Sequence, residues 1–243
     1  MQIPRYPSER CLLITDSGLG SLILTAMASE QTTIQPTSGD TKQRSTLYPA
    51  WWTSCTDMDI RIPLIDRAVE MQADLLSLPM LRDRAGYPDT DTASDASTDT
   101  SMGAHQNRML LDAATLAISM GIKRVIWPIH SSSLSGDGQS GPVDHLEQVG
   151  RAIDRALLTA RLATLDAQDY GGVEVMIETP LVDLNDAQLS DLAADLNIPI
   201  HSCWFSGANS VPDAALELNR WAAQPIIGSM LEHRPQTHQA SNI

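Results

Sequence analysis

A chain of 243 residues, 42% of them hydrophobic, can bury a sizeable core and fits one domain of α/β size, so residues 1–243 are read as a single domain. Its formal net charge of −14, from 30 acidic against 16 basic side chains, repels a nucleic-acid backbone or an anionic membrane face, which leaves small molecules or proteins as expected partners. The three cysteines, Cys11, Cys55 and Cys203, lie far apart without a C-x-x-C pair, which argues against a disulfide framework or a self-contained zinc knuckle.

MQIPRYPSERCLLI at the start has no basic stretch leading into an apolar region, and no window approaches the ~18 apolar residues of a membrane span, so a cytoplasmic protein without a membrane partner is expected. CLLIT (11–15) is a short apolar run closed by a Gly/Ser turn, the pattern of a buried parallel strand, and SLILTAMASE (21–30) follows with helical spacing. Residues 32–52 are mostly polar and read as loop, with at most a weak strand near 33–35. DIRIPLIDRAVEMQ (59–72) predicts a helix from about Pro63, and ADLLSL (73–78) a short strand. The segment 88–103 holds four aspartates and almost no apolar side chain, so burial cannot offset its ordering entropy and a mobile acidic loop is expected.

NRMLLDAATLAISMG, from Asn107, carries a wide apolar helical stripe and stops at Gly121. RVIWPI (124–129) predicts a strand. Pro142 opens a long helix whose Leu146, Val149, Ile153, Ala156, Leu157 and Ala160 form the expected core face. VEVMIE (173–178) predicts the next strand, and Asn185 with Gln188 suits an N-cap and its reciprocal partner for DAQLSDLAADL. The polar tail 232–243 is expected to be flexible. Strands alternating with helices imply a doubly wound parallel sheet, whose ligands bind beyond the carboxyl ends of the strands, where the turn 16–21 lies.

A strand, a small-residue turn and a helix N-terminus aim backbone N–H groups and a positive dipole end at one place, which favours an anion. A dinucleotide fingerprint would use Gly18 and Gly20 but meets Ile23 at its third glycine, and the Walker pattern lacks Gly-Lys-Ser/Thr. The pyrophosphate loop of the N-type ATP pyrophosphatases, Ser-Gly-Gly-x-Asp-Ser, aligns with Asp16, Ser17, Gly18, Leu19, Gly20 and Ser21, matching at Gly18 and Ser21. A tight strand-to-helix connection without a ligand is the remaining reading.

Later segments resemble one family of that PP-loop superfamily, 7-cyano-7-deazaguanine synthase. IETPLVDLNDAQLSDLAADLNIPI (177–200) is similar to the family's Glu-Thr-Pro-Leu-Ile-Asp-Leu stretch, helix and following turn. HSCWF (201–205) falls on Trp-Ser-Cys-Tyr, IHSSSLSG (129–136) on Val-Asn-Ala-x-Asp-Tyr-Ser-Gly, and HQN (105–107) on Gly-Arg-Asn. The resemblance implies a Rossmann-like sheet of the adenine nucleotide alpha hydrolase (HUP) type. It implies ATP- and Mg2+-dependent conversion of 7-carboxy-7-deazaguanine and ammonia to the nitrile of queuosine precursor synthesis, with a four-cysteine zinc site. It places the nucleotide at Asp16–Ser21 and Asn107, and a nucleotide or deazaguanine-like ligand at His130, Ser135 and Gly136.

Residue by residue, the charges depart from that family. Gly20 stands at the loop carboxylate, Asp16 puts a negative charge at the loop entrance, Gln106 replaces an arginine and Asp186 a lysine. Ser133 and Leu134 stand for Asp and Tyr. Only Cys203 of the four zinc thiols is kept, and SGANSVPDAAL (206–216) has none, so no zinc is expected and packing around Val211, Ala214, Ala215 and Leu218 is expected to close the gap. Two readings follow: a non-catalytic relative binding a ligand or protein, with a homodimer left open, or an active ATP-dependent ligase with diverged loops. The first is favoured because every lost charge weakens phosphate binding. His105 and His130 are expected in loops with surface or hydrogen-bonding roles. Trp51, Trp52 and Trp204 are read as packing residues, and serines 131–133 lack the G-x-S-x-G elbow of a serine hydrolase.

Overall fold

The computed structural model of the chain describes residues 10–34, 47–51, 62–78, 102–131, 142–169, 171–207 and 211–232. Strand β1 (Cys11–Thr15) is followed by helix α1 (Leu19–Ile34), β2 (Leu47–Trp51), α2 (Ile62–Leu75), α3 (Met102–Ser119) and β3 (Arg124–Ile126). After these come α4 (Pro142–Gln168), β4 (Met176–Glu178), α5 (Asp186–Asp195), two 3-10 turns, Ile200–Ser202 and Trp204–Gly207, then α6 (Pro212–Ala222) and α7 (Pro225–Glu232).

The four strands form one parallel sheet in the order β2-β1-β3-β4. Successive residues of a strand point to opposite faces, and this splits the core in two. Cys11, Leu13 and Ile126 pack beneath α1, α5, α6 and the 3-10 turns, while Leu12, Ile14, Val125 and Trp127 pack beneath α3 and α4. Helices therefore cover both faces, and the strand order reverses between β1 and β3. That switch point places the turn 16–20 beside residues 127–131 at the carboxyl ends of the strands.

Several local signals act as expected. Gly121 takes φ +65° just past α3, while the Ile122 N–H donates to the Ala117 carbonyl at 2.8 Å. Asn185 and Gln188 form the reciprocal capping box of α5, each side chain accepting from the other's backbone N–H at 3.0 Å.

Four expectations are corrected. Residues 47–51, read as loop, form edge strand β2, which tolerates Pro49 because an edge position can forgo one ladder donor. The weak strand near 33–35 is instead the end of α1 as far as Ile34. ADLLSL is no strand: α2 runs to Leu75 and ends in a turn with Ser77 at φ 53°. On α4 the core face is the small-residue one, with Ala152, Ala156, Ala160 and Ala163 buried against α3 and the sheet, whereas Leu146, Ile153 and Leu157 are exposed. Small side chains let the helix approach closely, and that close fit outweighs the greater apolar area of the leucines. Residues 88–101 and 233–243 lie outside the described residues, and Met102 and Gly103 begin α3. No described helix is long and apolar enough to cross a membrane.

Candidate functional site

The carboxyl end of the β1/β3 switch point is bounded on one side by the turn that leaves β1. Ser17 adopts the left-handed region, φ 54°, which a non-glycine residue holds only when its surroundings fix it. Three bonds do so. The Ser17 N–H donates to Thr15 Oγ1 at 3.2 Å, and the Ser17 carbonyl accepts from Gln72 Nε2 at 3.1 Å and from the Trp204 N–H at 3.3 Å. Gln72 Nε2 also donates to the Ser202 carbonyl at 3.1 Å, so α2 ties the turn to the 3-10 segment.

The head of α1 is occupied by the protein's own anion. Asp16 Oδ1 accepts from the Gly18 N–H at 2.9 Å, and Ser21 Oγ lies 2.9 Å from the same oxygen and 3.0 Å from the Gly18 carbonyl. The first intrahelical bond is Leu22 N–H to Gly18 carbonyl at 3.1 Å, so the N–H groups of residues 19–21 precede it, as at any helix start. An exposed carboxylate therefore stands where a phosphate would be cradled, and it uses two donors that a phosphate would need.

Gly20 has a role the sequence alone does not show. A Cβ there would lie 2.8 Å from the Pro128 carbonyl oxygen, 3.4 Å from His130 Cδ2 and 3.6 Å from Leu181 Cδ1. The first turn of α1 is thus pressed onto the exit of β3, leaving no room for a carboxylate side chain at this position. Leu19 is buried in the core cluster under α1, so its side chain faces the core. Leu181 belongs to the Glu-Thr-Pro-Leu-like stretch, whose Glu178 is held in a two-pronged ion pair by Arg124 at 2.6 and 2.7 Å.

Behind the turn lies a charged network. Arg220 on α6 grips Asp186, at the start of α5, through Nε at 2.8 Å and a terminal nitrogen at 2.7 Å, and reaches Glu217 at 3.2 Å. Glu217 also accepts from the Trp221 indole N–H at 3.0 Å, and the Arg220 guanidinium stacks 4.9 Å from the Trp221 ring centroid. Burial alone would lower the Arg220 pKa, but the bonds to Asp186 and the attraction of Glu217 raise it above its ordinary value. His130 packs 6.2 Å from Trp221, ring centroid to centroid. Its pKa is pulled down to about 4, first by burial and then by Arg220, against the opposing pull of Asp186 and Asp16. This end of the sheet therefore carries a buried neutral imidazole near the Arg220 guanidinium and the carboxylates of Asp16 and Asp186, with Glu217 bonded to Arg220.

The other sequence-predicted residues fall elsewhere. Asn107 is on α3, on the opposite face of the sheet, where Arg155 of α4 donates to its side-chain oxygen and to the Gly103 carbonyl. Ser135 and Gly136, with Ser132, Ser133 and Trp52, lie outside the described residues. Ser131 donates to the Leu184 carbonyl at 2.6 Å, a structural bond. Trp204 meets Phe205 edge-on at 6.1 Å, the packing role expected. The residues around Cys203 do not fit a thiolate-rich zinc site. Val211 and Ala214 share its apolar cluster, Leu218 packs against it, and burial, reinforced by Asp16 and Glu217, drives the Cys203 thiol well above its ordinary pKa.

Sequence reasoning noted Asp186 as a reversed charge but missed its partner. The available signal was E-L-N-R-W at 217–221, whose spacing puts Glu217, Arg220 and Trp221 within one turn of each other on a helix. Gln72 carries no comparable signal, since a single amide in an amphipathic helix is found only by seeing what it ties together.

No protein-family model matches the chain, and no curated protein does. Among solved structures, the U34-tRNA thiolase NcsA from Methanococcus maripaludis with its 4Fe-4S cluster aligns at a TM-score of 0.48 and 14% identity, covering 98% of this chain and 77% of that one. The parallel α/β architecture stands on the strand order and the two helical layers described above.

Proposed function

We propose that this chain is a non-catalytic member of the PP-loop type of α/β fold, related to 7-cyano-7-deazaguanine synthase through the motifs it resembles, and that it serves as a ligand- or protein-binding module. One observation carries the reading: the Asp16 carboxylate caps α1, taking the Gly18 N–H and the Ser21 hydroxyl. A phosphate brought to about 4 Å from that carboxylate meets a repulsion of about 1 kcal/mol per unit charge if fully solvated and about 4 kcal/mol in a surface-like dielectric. Asp16 is exposed, which sets the cost toward the lower value, but a triphosphate carries several charges. The closed approach of Gly20 to Pro128 supports the same reading, because it removes the position where a metal-binding loop carboxylate would stand. Asp186, the charge reversal, is neutralised locally by Arg220 and offers no cation to phosphate.

Calorimetry with ATP and Mg2+ at millimolar concentration tests the proposal, and no binding heat is expected. Tight Mg2+-dependent binding followed by pyrophosphate release would overturn it and identify an active carbon-nitrogen ligase instead.

A further inference from the structure

The macrodipole of a helix leaves its C-terminal carbonyls negative, so the last turn favours Lys, Arg or His and disfavours Asp. Helix α6 obeys this rule, with Asp213 in its first turn and Arg220 in its last. Three other helices do the reverse. Exposed Asp74, Asp166 and Asp195 lie in the last turns of α2, α4 and α5, and none of these helices has a basic residue there. On α5, Asp191 stands four residues before Asp195 and both are exposed, a like-charge pair on one stripe of the helix. Among the described residues no cation forms an ion pair with any of these four aspartates.

The two-pronged attractive pairs are placed differently. Arg124–Glu178 and Arg220–Asp186 are partly buried, where salt screens them little. Repulsion thus sits on the surface, where salt reaches it, and 30 acidic against 16 basic side chains add self-repulsion of the same sign. We propose that this arrangement makes the stability of the fold follow ionic strength: the folded state is weakly held in dilute salt and strengthens as salt rises, with Asp74, Asp166 and Asp195 as the principal responding charges. The screening length falls from about 20 Å at about 0.02 M salt to about 4 Å at about 0.5 M. Across that range each aspartate ceases to feel all but the nearest carbonyls of its own last turn. The device needs no ligand and no change of contact, and it holds whether or not the head of α1 takes a nucleotide.

Thermal melting of the full chain, followed by circular dichroism at neutral pH between about 0.02 and about 0.5 M NaCl, reads the effect. The wild-type melting temperature is expected to rise by roughly 5–10 °C over that range. KCl should give the same curve, because screening depends on ionic strength and not on the cation. Asp74→Asn/Asp166→Asn/Asp195→Asn should melt roughly 3–8 °C above the wild type at the lowest salt and lose about half or more of the salt slope. Asp154→Asn/Asp183→Asn/Asp213→Asn removes the same charge from the middle and the N-terminal ends of helices, so it should keep most of the slope and gain little at low salt. A wild-type midpoint that stays flat or falls with NaCl would overturn the proposal. So would a C-terminal-turn variant with an unchanged slope, a charge-matched control that flattens the curve equally, or a KCl curve displaced from that of NaCl, which is the mark of a specific cation site.

Discussion

Replacing Gly20 by alanine tests the close approach of α1 to the β3 exit directly. In most helices this substitution stabilises, by about 0.5–1 kcal/mol, because glycine loses more backbone freedom on folding. Here the new methyl carbon would sit 2.8 Å from the Pro128 carbonyl oxygen, a backbone atom that cannot rotate away, with His130 Cδ2 at 3.4 Å on its other side. Forcing extra carbon into a packed interior costs about 1–3 kcal/mol, which exceeds the propensity gain. A net destabilisation of about 1–2 kcal/mol is therefore expected, equal to a fall in melting temperature of roughly 2–8 °C for a domain of this size. Urea denaturation followed by circular dichroism measures it. An unchanged or raised midpoint would refute the close approach of α1 to the β3 exit, and Gly20→Asp should be worse still, so it cannot rebuild a phosphate loop here.

His130 makes stability depend on pH. Its folded pKa of about 4 lies below the ordinary 6.5, so between those values the unfolded chain binds more protons. The contribution is full above about pH 6.5 and is lost as the pH falls toward 4, on the order of 3 kcal/mol in all. His130→Gln should lose that slope, and identical pH profiles of wild type and variant would contradict the burial. Arg220→Ala strands two partly buried carboxylates and should cost about 2–3 kcal/mol. In a double-mutant cycle with Asp186→Asn, a coupling near zero would show the two-pronged bond to be of no consequence. Metal analysis of the purified chain should find zinc far below one equivalent, because a single buried thiol among Val211 and Ala214 cannot complete four ligands, and one stoichiometric zinc would refute this.

The elements most legible in the sequence are those where local chemistry and packing agree. CLLIT is apolar up to its final threonine and runs into a small-residue turn, and it is β1 residue for residue. The Asn185–Gln188 box and Gly121 fix helix ends by backbone chemistry that needs no tertiary information. Strand β2 escaped because LYPAW contains a proline and takes its strand form from pairing with β1, a partner more than thirty residues away. The core face of α4 escaped because hydrophobicity ranks leucine above alanine, whereas close approach to α3 and the sheet selects alanine. At the switch point, the loss of phosphate-binding charges could be read from single residues. Asp16 capping its own helix and Gly20 closing on Pro128 could not, since both depend on where the β3 exit lies in space.

The central claim is that the head of α1 is filled by Asp16 and holds no phosphate. Titrating ATP and Mg2+ into the wild type and into Asp16→Ser by calorimetry addresses it most directly. No binding is expected for the wild type, with at most weak binding released when the carboxylate is removed. Magnesium-dependent ATP binding by the wild type that weakens in Asp16→Ser would contradict it, because Asp16 would then be a ligand of the nucleotide's metal and not its substitute.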